Sequence, residues 1–196
     1  MTSGVLTLLA AYLLGSIPTG FLLFRWMSGE DIRRRGSGNI GATNVMRSGG
    51  RMAGILTLLV DAAKGALAVL LARAVAPGGG WAAAAAFLAV MGHCYPVFLR
   101  FRGGKGIATG CGAYAVLAPI PMLAALGVFV AVSALSRMVS LGSIAAGLAL
   151  PAAIAWWSGE PALLISATAA VLLAVSRHHE NIRRILAGRE HRIGGD

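Results

Sequence analysis

Three polar segments, separated by long apolar runs, hold the side chains that could do chemistry. The first reads Gly36-Ser37-Gly38-Asn39-Ile40-Gly41-Ala42-Thr43-Asn44-Val45-Met46-Arg47. Its glycines let backbone N–H groups turn toward an anion, and successive groups of this kind form phosphate-binding nests. The hydroxyls of Ser37 and Thr43 add donors, and the Arg47 guanidinium matches phosphate oxygens. Because Asn39 and Asn44 make the segment more polar than a flexible surface loop needs, we predict that it binds a phosphate group.

The second polar segment, Gly103-Gly104-Lys105-Gly106, joins flexible backbone to a positive charge at the start of an apolar run. A helix N-terminus carries partial positive charge and free N–H groups, so this arrangement predicts anion binding. The spacing of a nucleotide-binding P-loop is absent. A basic turn that anchors a span at the membrane interface is the alternative, and it accounts for Arg100 and Arg102. His93, which precedes the segment, is more typical of a packed polar residue than of a catalyst.

The third polar segment begins at Arg177 and contains a histidine and an asparagine at helical spacing. His178 and Asn181 are three residues apart, so a helix would put both on one face. The alternative is an amphipathic helix that lies on anionic lipid with its arginines toward the headgroups. That alternative accounts for Arg183 and Arg189 but does not require the His–Asn pair. We therefore predict that the pair acts at a site.

Ionisable and hydroxyl side chains also occur within the apolar runs. Asp61 and Lys64 are three residues apart near the middle of one run. Ionisable groups are costly in a membrane and indicate function by default. An internal ion pair that orients helices and a role in substrate binding are both open. Ser140 and Ser143 follow Arg137 near the cytoplasmic end of the run Val139–Trp157 and could face the site.

Membrane helices must position these segments. The chain has 196 residues, of which 57% are hydrophobic and 12% charged, against about 45–50% and about 25% in soluble domains. Backbone polar groups in lipid must be bonded internally, so the runs form helices. No basic residue precedes the first run, which therefore is a retained span rather than a signal peptide. Pro18 should kink it. The runs are Val5–Phe24, Ala53–Ala76, Trp81–Leu99, Ile107–Ser136 (interrupted at Ala118-Pro119-Ile120-Pro121), Val139–Trp157 and Ala162–Ser176.

The distribution of charge predicts the topology. The formal net charge is +10, and four stretches carry all of it: Arg25–Arg51, Arg100–Lys105, Arg137 and the tail from Arg177. Cytoplasmic loops hold the excess of Lys and Arg. All four stretches lie on one face only if the run 107–136 crosses twice. The sequence thus predicts an all-α integral membrane protein with seven transmembrane helices, the N-terminus outside and the C-terminus cytoplasmic. It forms one membrane domain over 1–196, with cytoplasmic motif segments at about 28–52, 100–106 and 177–196.

The same distribution bears on the class of function. Because the basic stretches fit the topology, nucleic-acid binding is disfavoured. Cys94 and Cys111 form no metal-ligand pattern, and no metal site is predicted. A small transporter of an anionic or phosphorylated solute is the alternative to an enzyme, because broken helices and the Asp61–Lys64 pair suit it. Against a transporter, the polar motifs cluster on one face, whereas alternating access predicts a central site.

Taken in order, the segments resemble one family, the bacterial membrane glycerol-3-phosphate acyltransferases that use acyl-phosphate as donor (the PlsY family). The resemblance covers nearly the whole chain, and the ordered set is specific although no single piece is. The residues that carry it are Gly15-Ser16-Ile17-Pro18, Gly36-Ser37-Gly38-Asn39, Gly41-Ala42-Thr43-Asn44, Asp61-Ala62-Ala63-Lys64-Gly65, Gly92-His93, Pro96-Val97-Phe98, Gly103-Gly104-Lys105-Gly106, Ala108-Thr109, Ser140-Leu141, Arg177-His178, Asn181-Ile182, Arg184, Gly188 and Glu190.

The resemblance implies a seven-helix fold in the bacterial inner membrane, with three cytoplasmic motifs around one site. It implies transfer of a fatty acyl group from acyl-phosphate to the 1-hydroxyl of glycerol 3-phosphate, which gives lysophosphatidate and phosphate in phospholipid biosynthesis. Neither acyl-CoA nor acyl carrier protein would be the donor, and no cofactor is implied. Membrane lipid is an expected partner, and the soluble enzyme that makes acyl-phosphate is a candidate partner.

The resemblance also implies roles for particular residues. Ser37 and Arg47 match catalytic residues of the first motif, and His178 and Asn181 match the catalytic pair of the third. The expected catalytic residues are Ser37, Arg47, Lys105, His178 and Asn181. The expected substrate-binding residues are Gly38, Asn39, Thr43, Asn44, Gly103, Gly104, Gly106 and Ser140. Asp61, Lys64 and Glu190 are expected to be structural.

The chemistry of the substrates predicts a simple mechanism. Acyl-phosphate is a mixed anhydride with a good leaving group, so catalysis needs mainly positioning and charge stabilisation. Direct attack by the glycerol hydroxyl is expected, with phosphate oxygens held by Ser37, Arg47 and Lys105. His178 would act as general base or positioner, and Asn181 would orient a substrate oxygen or the imidazole ring. The transferring phosphate could itself take the proton.

Overall fold

The computed structural model describes residues 2–78 and 80–194, and all the regular secondary structure in these ranges is helical. Single turns of 3₁₀ helix, Ile32–Arg34 and Val97–Leu99, interrupt the connections. The α-helices in these ranges are α1 (Thr2–Ser16), α2 (Thr19–Ser28), α3 (Ala42–Gly49), α4 (Arg51–Val75), α5 (Trp81–Cys94), α6 (Ile107–Leu117), α7 (Pro119–Ser136), α8 (Val139–Trp157), α9 (Pro161–Ser176) and α10 (His179–Leu186).

Five helical units in the described ranges are long and apolar enough to cross a membrane. A sixth is present if α9 and α10, which meet at a bend of 60°, count as one span. Helix α6 has 11 residues and rises only about 16 Å, roughly half the apolar thickness of a bilayer. The protein is therefore a multi-span membrane protein, and the predicted seventh crossing depends on this short helix. The units are Thr2–Ser28, Arg51–Val75, Trp81–Leu99, Pro119–Ser136 and Val139–Trp157.

The helix breaks occur where the prolines predict them. Helices α1 and α2 are separated at Ile17 and Pro18, and Lys64 Nζ donates to the carbonyl oxygen of Ile17 over 2.7 Å. A carbonyl released from a helix ladder needs such a partner in the membrane. The long run 107–136 divides at Ala118, and Pro119 begins α7, at the helical position that tolerates proline best. It forms two helices, as predicted.

Helix α6 packs closely against α4 through glycines. A Cβ added at Gly65 would overlap the carbonyl oxygen of Thr109, and one added at Gly112 would overlap the carbonyl oxygen of Ala62. Small residues permit this backbone contact between membrane helices. The contact fixes the position of α6 along α4, and with it the position of the second polar segment, which precedes α6.

Helix α3 lies inside the first polar segment, for which no helix was predicted. Val45 is fully buried, and a Cβ added at Gly54 of α4 would overlap the Cβ of Met46. Contact with α4 thus stabilises a helix of eight residues that is too short to be stable alone. The sequence signal is weak, because Val45 and Met46 are the main apolar residues of this stretch.

Candidate active site

The three polar segments meet at one cavity of about 480 Å³, here called the apolar-walled cavity. Leu58, Ile107, Ala108, Phe129 and Val139 form its apolar wall. Its polar side brings together residues that lie far apart in the sequence. They are Ser37, Asn39, Thr43, Asn44, Arg47, Asp61, His93, Lys105, Gly106, Ser140, Ser143, His178, Asn181, Glu190, His191 and Arg192.

A second cavity of about 490 Å³, the arginine-lined cavity, adjoins the first. Ser37, Asn39, Lys105 and Asn181 line both. Gly38, Gly103 and His179 lie in the second cavity, where cationic side chains outnumber the acids Asp31 and Glu180. The cationic side chains are Arg33, Arg34, Lys105, Arg102, Arg177 and Arg184. A space walled by hydrocarbon thus opens into a space lined by positive charge.

Asn44 organises the first segment. Its side chain is 2% exposed, its Oδ1 accepts from the Ser37 N–H at 2.9 Å, and its Nδ2 donates to the carbonyl oxygens of Arg35 and Asn39. Asn39 Oδ1 accepts from the Gly41 N–H at 2.8 Å, which is an Asx turn. The two asparagine side chains thereby hold the backbone around Ser37 in a fixed shape.

Two helix N-termini face the apolar-walled cavity. Gly41 precedes α3 and Gly106 precedes α6, both line the cavity, and neither helix has a side-chain cap among the described residues. Gly106 has a φ of 79°, a left-handed conformation that favours glycine. The first N–H groups of each helix have no partner within the helix. Together with Arg47 and Lys105 they make this part of the cavity attractive to phosphate.

The glycines of the second segment press against His93. The Gly104 N–H donates to the His93 carbonyl at 3.0 Å. A Cβ added at Gly103 would overlap that same carbonyl oxygen, and one added at Gly104 would overlap the imidazole of His93. Arg177 donates to the carbonyl oxygens of both glycines at 3.2 Å. These contacts fix the backbone that carries Lys105.

Lys105, Asn181 and Glu190 form a continuous chain of hydrogen bonds. Lys105 Nζ donates to Asn181 Oδ1, and Asn181 Nδ2 donates to Glu190 Oε1 at 2.6 Å. Because an ammonium only donates and a carboxylate only accepts, the Asn181 amide has one allowed orientation. Burial lowers the pKa of Lys105 to about 8, with Glu190 opposing and Arg184 and Arg47 adding to the shift.

Glu190 anchors this chain. It is 8% exposed and also accepts from Ser140 Oγ at 2.8 Å and from Arg184 Nε at 2.7 Å. Burial alone would raise its pKa, but the hydrogen bonds from Asn181, Arg184 and Ser140 prevail and hold the pKa below its usual range. Ser140 thus lines the cavity and also holds Glu190. The carboxylate joins α8 to α10 and fixes Asn181.

His178 lies at the bend between α9 and α10, where it is 2% exposed. Its Nδ1 is 2.8 Å from the carbonyl oxygen of Ala174, and since a carbonyl only accepts, Nδ1 carries the proton. Nε2 has no hydrogen-bond partner within the ranges 2–78 and 80–194. Burial, reinforced by the charge of Lys105, lowers the pKa of His178 to about 4. The ring is therefore neutral at pH 7, with Nε2 free to accept a proton.

Asp61 and Lys64 form a buried ion pair on α4, with Nζ and Oδ1 2.8 Å apart. Lys64 Nζ also donates to the carbonyl oxygen of Ile17, at the break between α1 and α2. Asp61 lines the apolar-walled cavity beside His93, and its Oδ1 is 3.7 Å from His93 Nδ1. The lysine of the pair thus contacts the break between two helices, while its acid borders the cavity. No cluster of three or more His, Cys, Asp or Glu side chains in the described part of the chain could hold a metal ion.

Comparison with known proteins decides what family this site belongs to. Residues 5–188 match the family model described as glycerol-3-phosphate acyltransferase. The chain belongs to the glycerol-3-phosphate acyltransferase family. A glycerol-3-phosphate acyltransferase from Syntrophotalea carbinolica is 50% identical over 197 residues, covering 98% of this chain and 99% of the relative. One from Geobacter sulfurreducens is 46% identical over 183 residues, covering 93% and 94%.

Solved structures of a family member have the same fold. The crystal structure of PlsY, an integral membrane glycerol 3-phosphate acyltransferase, in its glycerol 3-phosphate form has a TM-score of 0.94 and 37% identity, covering 98% of this chain and 96% of that one. Its lysophosphatidic acid form has a TM-score of 0.90 and 35% identity, covering 97% and 95%. The resemblance stated from the motifs is therefore confirmed, and the chain is an acyltransferase rather than a transporter.

Arg177 joins the third segment to the second, a role that the sequence did not predict. Its guanidinium lies 5.1 Å from the centre of the Tyr95 ring while it donates to Gly103 and Gly104. At the end of an apolar run, an arginine is typical of an interface anchor, so the sequence carries no signal for this contact. The acyltransferase fold supplies it by bringing α9 beside α5.

Proposed function

We propose that the protein transfers a fatty acyl group from acyl-phosphate to the 1-hydroxyl of glycerol 3-phosphate, releasing lysophosphatidate and phosphate. The single observation that carries the proposal is the junction of the two cavities at Ser37, Asn39, Lys105 and Asn181. One cavity suits a hydrocarbon chain and the other suits a polyanion. A donor with an acyl tail and a phosphate head has both kinds of chemistry in one molecule.

The phosphate groups of both substrates need positive charge near the junction. Lys105 and Arg47 supply it, and the N-termini of α3 and α6 add N–H donors. Ser37, whose backbone is fixed by Asn44, offers a further hydroxyl. The acyl tail lies along the apolar wall, and glycerol 3-phosphate enters from the arginine-lined cavity. The carbonyl carbon of the donor then lies between the two phosphates.

The reaction needs no acyl-enzyme. The glycerol hydroxyl attacks the acyl carbonyl, a C–O bond forms to the glycerol oxygen, and the bond to the phosphate oxygen breaks. His178 Nε2 accepts the hydroxyl hydrogen, since Nδ1–H is engaged by Ala174. Two bound phosphates favour the protonated imidazole and raise its pKa above the value of the empty site. The departing phosphate is the final acceptor of that proton.

Asn181 acts through Lys105 in this scheme. With its amide fixed by Glu190, it holds the ammonium at the junction of the cavities. Preorganised charge of this kind stabilises the transition state without reorganisation during the reaction. No metal or organic cofactor enters any step.

The proposed topology has seven crossings, with the N-terminus outside and the site on the cytoplasmic face of the bacterial inner membrane. The division of 107–136 into α6 and α7 supports it, and so does the excess of Lys and Arg in four stretches. This arrangement exposes the site to water-soluble glycerol 3-phosphate. It is also open to the soluble enzyme that makes acyl-phosphate.

The test is an assay of purified protein in lipid. Acyl-phosphate and glycerol 3-phosphate are supplied, and lysophosphatidate is measured, with acyl-CoA as the alternative donor. We expect product from acyl-phosphate alone. Product that requires acyl-CoA would refute the proposed donor while leaving the family assignment in place.

A further inference from the structure

The chain beyond α10 folds back over the apolar-walled cavity. Gly188 has a φ of 66° and turns the chain, and Glu190 is then held by Asn181, Ser140 and Arg184. The next four residues, 191–194, all line the cavity that contains Lys105 and His178. They come from the cytoplasmic tail, so they lie between the cavity and the aqueous side in the proposed topology.

A reciprocal set of hydrogen bonds fastens this tail to the turn between α7 and α8. The Ile193 N–H donates to the carbonyl oxygen of Arg137 at 2.6 Å. The Arg137 guanidinium in turn donates to the Ile193 carbonyl, from Nε at 3.0 Å and from Nη2 at 2.7 Å. The two residues are 56 positions apart, so the contact is tertiary.

The backbone of Arg137 indicates that its side chain is needed. It ends α7 with a φ of 60°, in the left-handed region. Glycine adopts this conformation without steric cost, whereas a residue with a Cβ does not. An arginine at this position contributes two donors to Ile193 that glycine lacks.

We propose that residues 191–194, fastened by Arg137, form a roof that keeps water away from the bound acyl-phosphate. The inference rests on the proposed donor. Water can attack the same acyl carbonyl as the glycerol hydroxyl, forming a C–O bond and breaking the bond to phosphate, so that fatty acid and phosphate leave. Exclusion of water from closed sites suppresses such side reactions. Arg137 is then a positioning residue, and its loss changes the ratio of hydrolysis to transfer.

The experiment compares two products from one reaction. Protein in lipid vesicles receives hexadecanoyl phosphate and glycerol 3-phosphate, and released hexadecanoic acid and lysophosphatidate are both measured, with a protein-free blank subtracted. Arg137→Gly removes the guanidinium and relaxes the turn. The two Arg137 nitrogens donate to the same oxygen, that of Ile193. Removing both should therefore weaken the attachment of the tail about as much as the loss of one ordinary hydrogen bond. The ratio of hexadecanoic acid to lysophosphatidate should then rise about fivefold. Deletion of residues 192–196 should raise the ratio at least as much.

Arg189→Ala is the matched control, because Arg189 is exposed on the same tail and its side chain makes no hydrogen bond in the described part of the structure. Its ratio should equal that of the unaltered protein. An unchanged ratio in both test variants overturns the roof, as does an equal rise in the control. Complete loss of transfer in both also overturns it, because a roof is not required for attack. Failure of the unaltered protein to make lysophosphatidate would instead refute the proposed donor.

Discussion

The charge of Lys105 should set the alkaline limit of activity. Burial lowers its pKa to about 8, so the ammonium is present below that pH and is lost above it. In the proposed function this charge binds phosphate, so activity should fall as the pH rises through 8. From about ten-elevenths charged at pH 7, the group becomes about one-eleventh charged at pH 9, so kcat/KM should fall about tenfold between these values.

The assay is the initial rate of lysophosphatidate formation at low glycerol 3-phosphate, where the rate reports kcat/KM and the pKa of the free enzyme. A phosphate monoester has its second pKa near about 6, so the substrate does not titrate in this window. Lys105→Arg keeps the charge at all these pH values, and its residual activity should lose the alkaline limb. Arg183→Gln, a change on the exposed side of α10, should keep it.

Two results would refute this account of Lys105. One is an alkaline limb that persists unchanged in Lys105→Arg, which would assign the titration to another group. The other is a kcat/KM that stays flat from pH 7 to pH 9 in the unaltered protein. The first result would show that Lys105 does not cause the alkaline limb, and the second that its pKa is not near 8.

Three further predictions test other parts of the site. His178→Gln should lower kcat much more than it changes KM for glycerol 3-phosphate, because the glutamine amide cannot take the proton that Nε2 accepts. An unchanged kcat would remove His178 from the chemistry. Glu190→Gln turns one acceptor into a donor and should lower the free energy of unfolding by about 2 kcal/mol. The loss should be seen as a lower unfolding temperature together with a reduced kcat/KM. A variant as stable and active as the parent would contradict the anchoring role. Gly104→Ala would drive a Cβ into the His93 imidazole and should raise KM for glycerol 3-phosphate. Gly127→Ala, where nothing lies within 4 Å, should have no effect. Equal kinetics in the two alanine variants would contradict the close packing.

Much of the helical framework was predictable from the sequence. The run Val139–Trp157 coincides with α8, and the proline positions gave the breaks at Pro18 and Ala118. These features follow from local rules on hydrophobic length and proline geometry. The same rules did not predict α3, because this helix is stabilised by contact with α4 rather than by its own composition.

The residue types of the site could be predicted from the sequence, but the contacts among these residues could not. Asn181 is expected to orient a substrate oxygen or the histidine ring, and its described contacts are with Lys105 and Glu190. Asn44 was expected to bind substrate, and its described contacts are with the backbone of its own segment. The contacts of Arg177 and Arg137 span 73 and 56 positions. Sequence spacing cannot reveal them, because they depend on how distant helices pack.

The central claim is that the acyl group passes directly from acyl-phosphate to the hydroxyl of glycerol 3-phosphate while both molecules are bound in one site. A rapid-quench experiment with acyl-labelled acyl-phosphate and purified protein in lipid tests it most directly. With donor alone, no label should become attached to the protein. On addition of glycerol 3-phosphate, label should appear in lysophosphatidate without a protein-bound precursor. Label on Ser37 or any other side chain, formed before product and discharged by glycerol 3-phosphate, would contradict the claim.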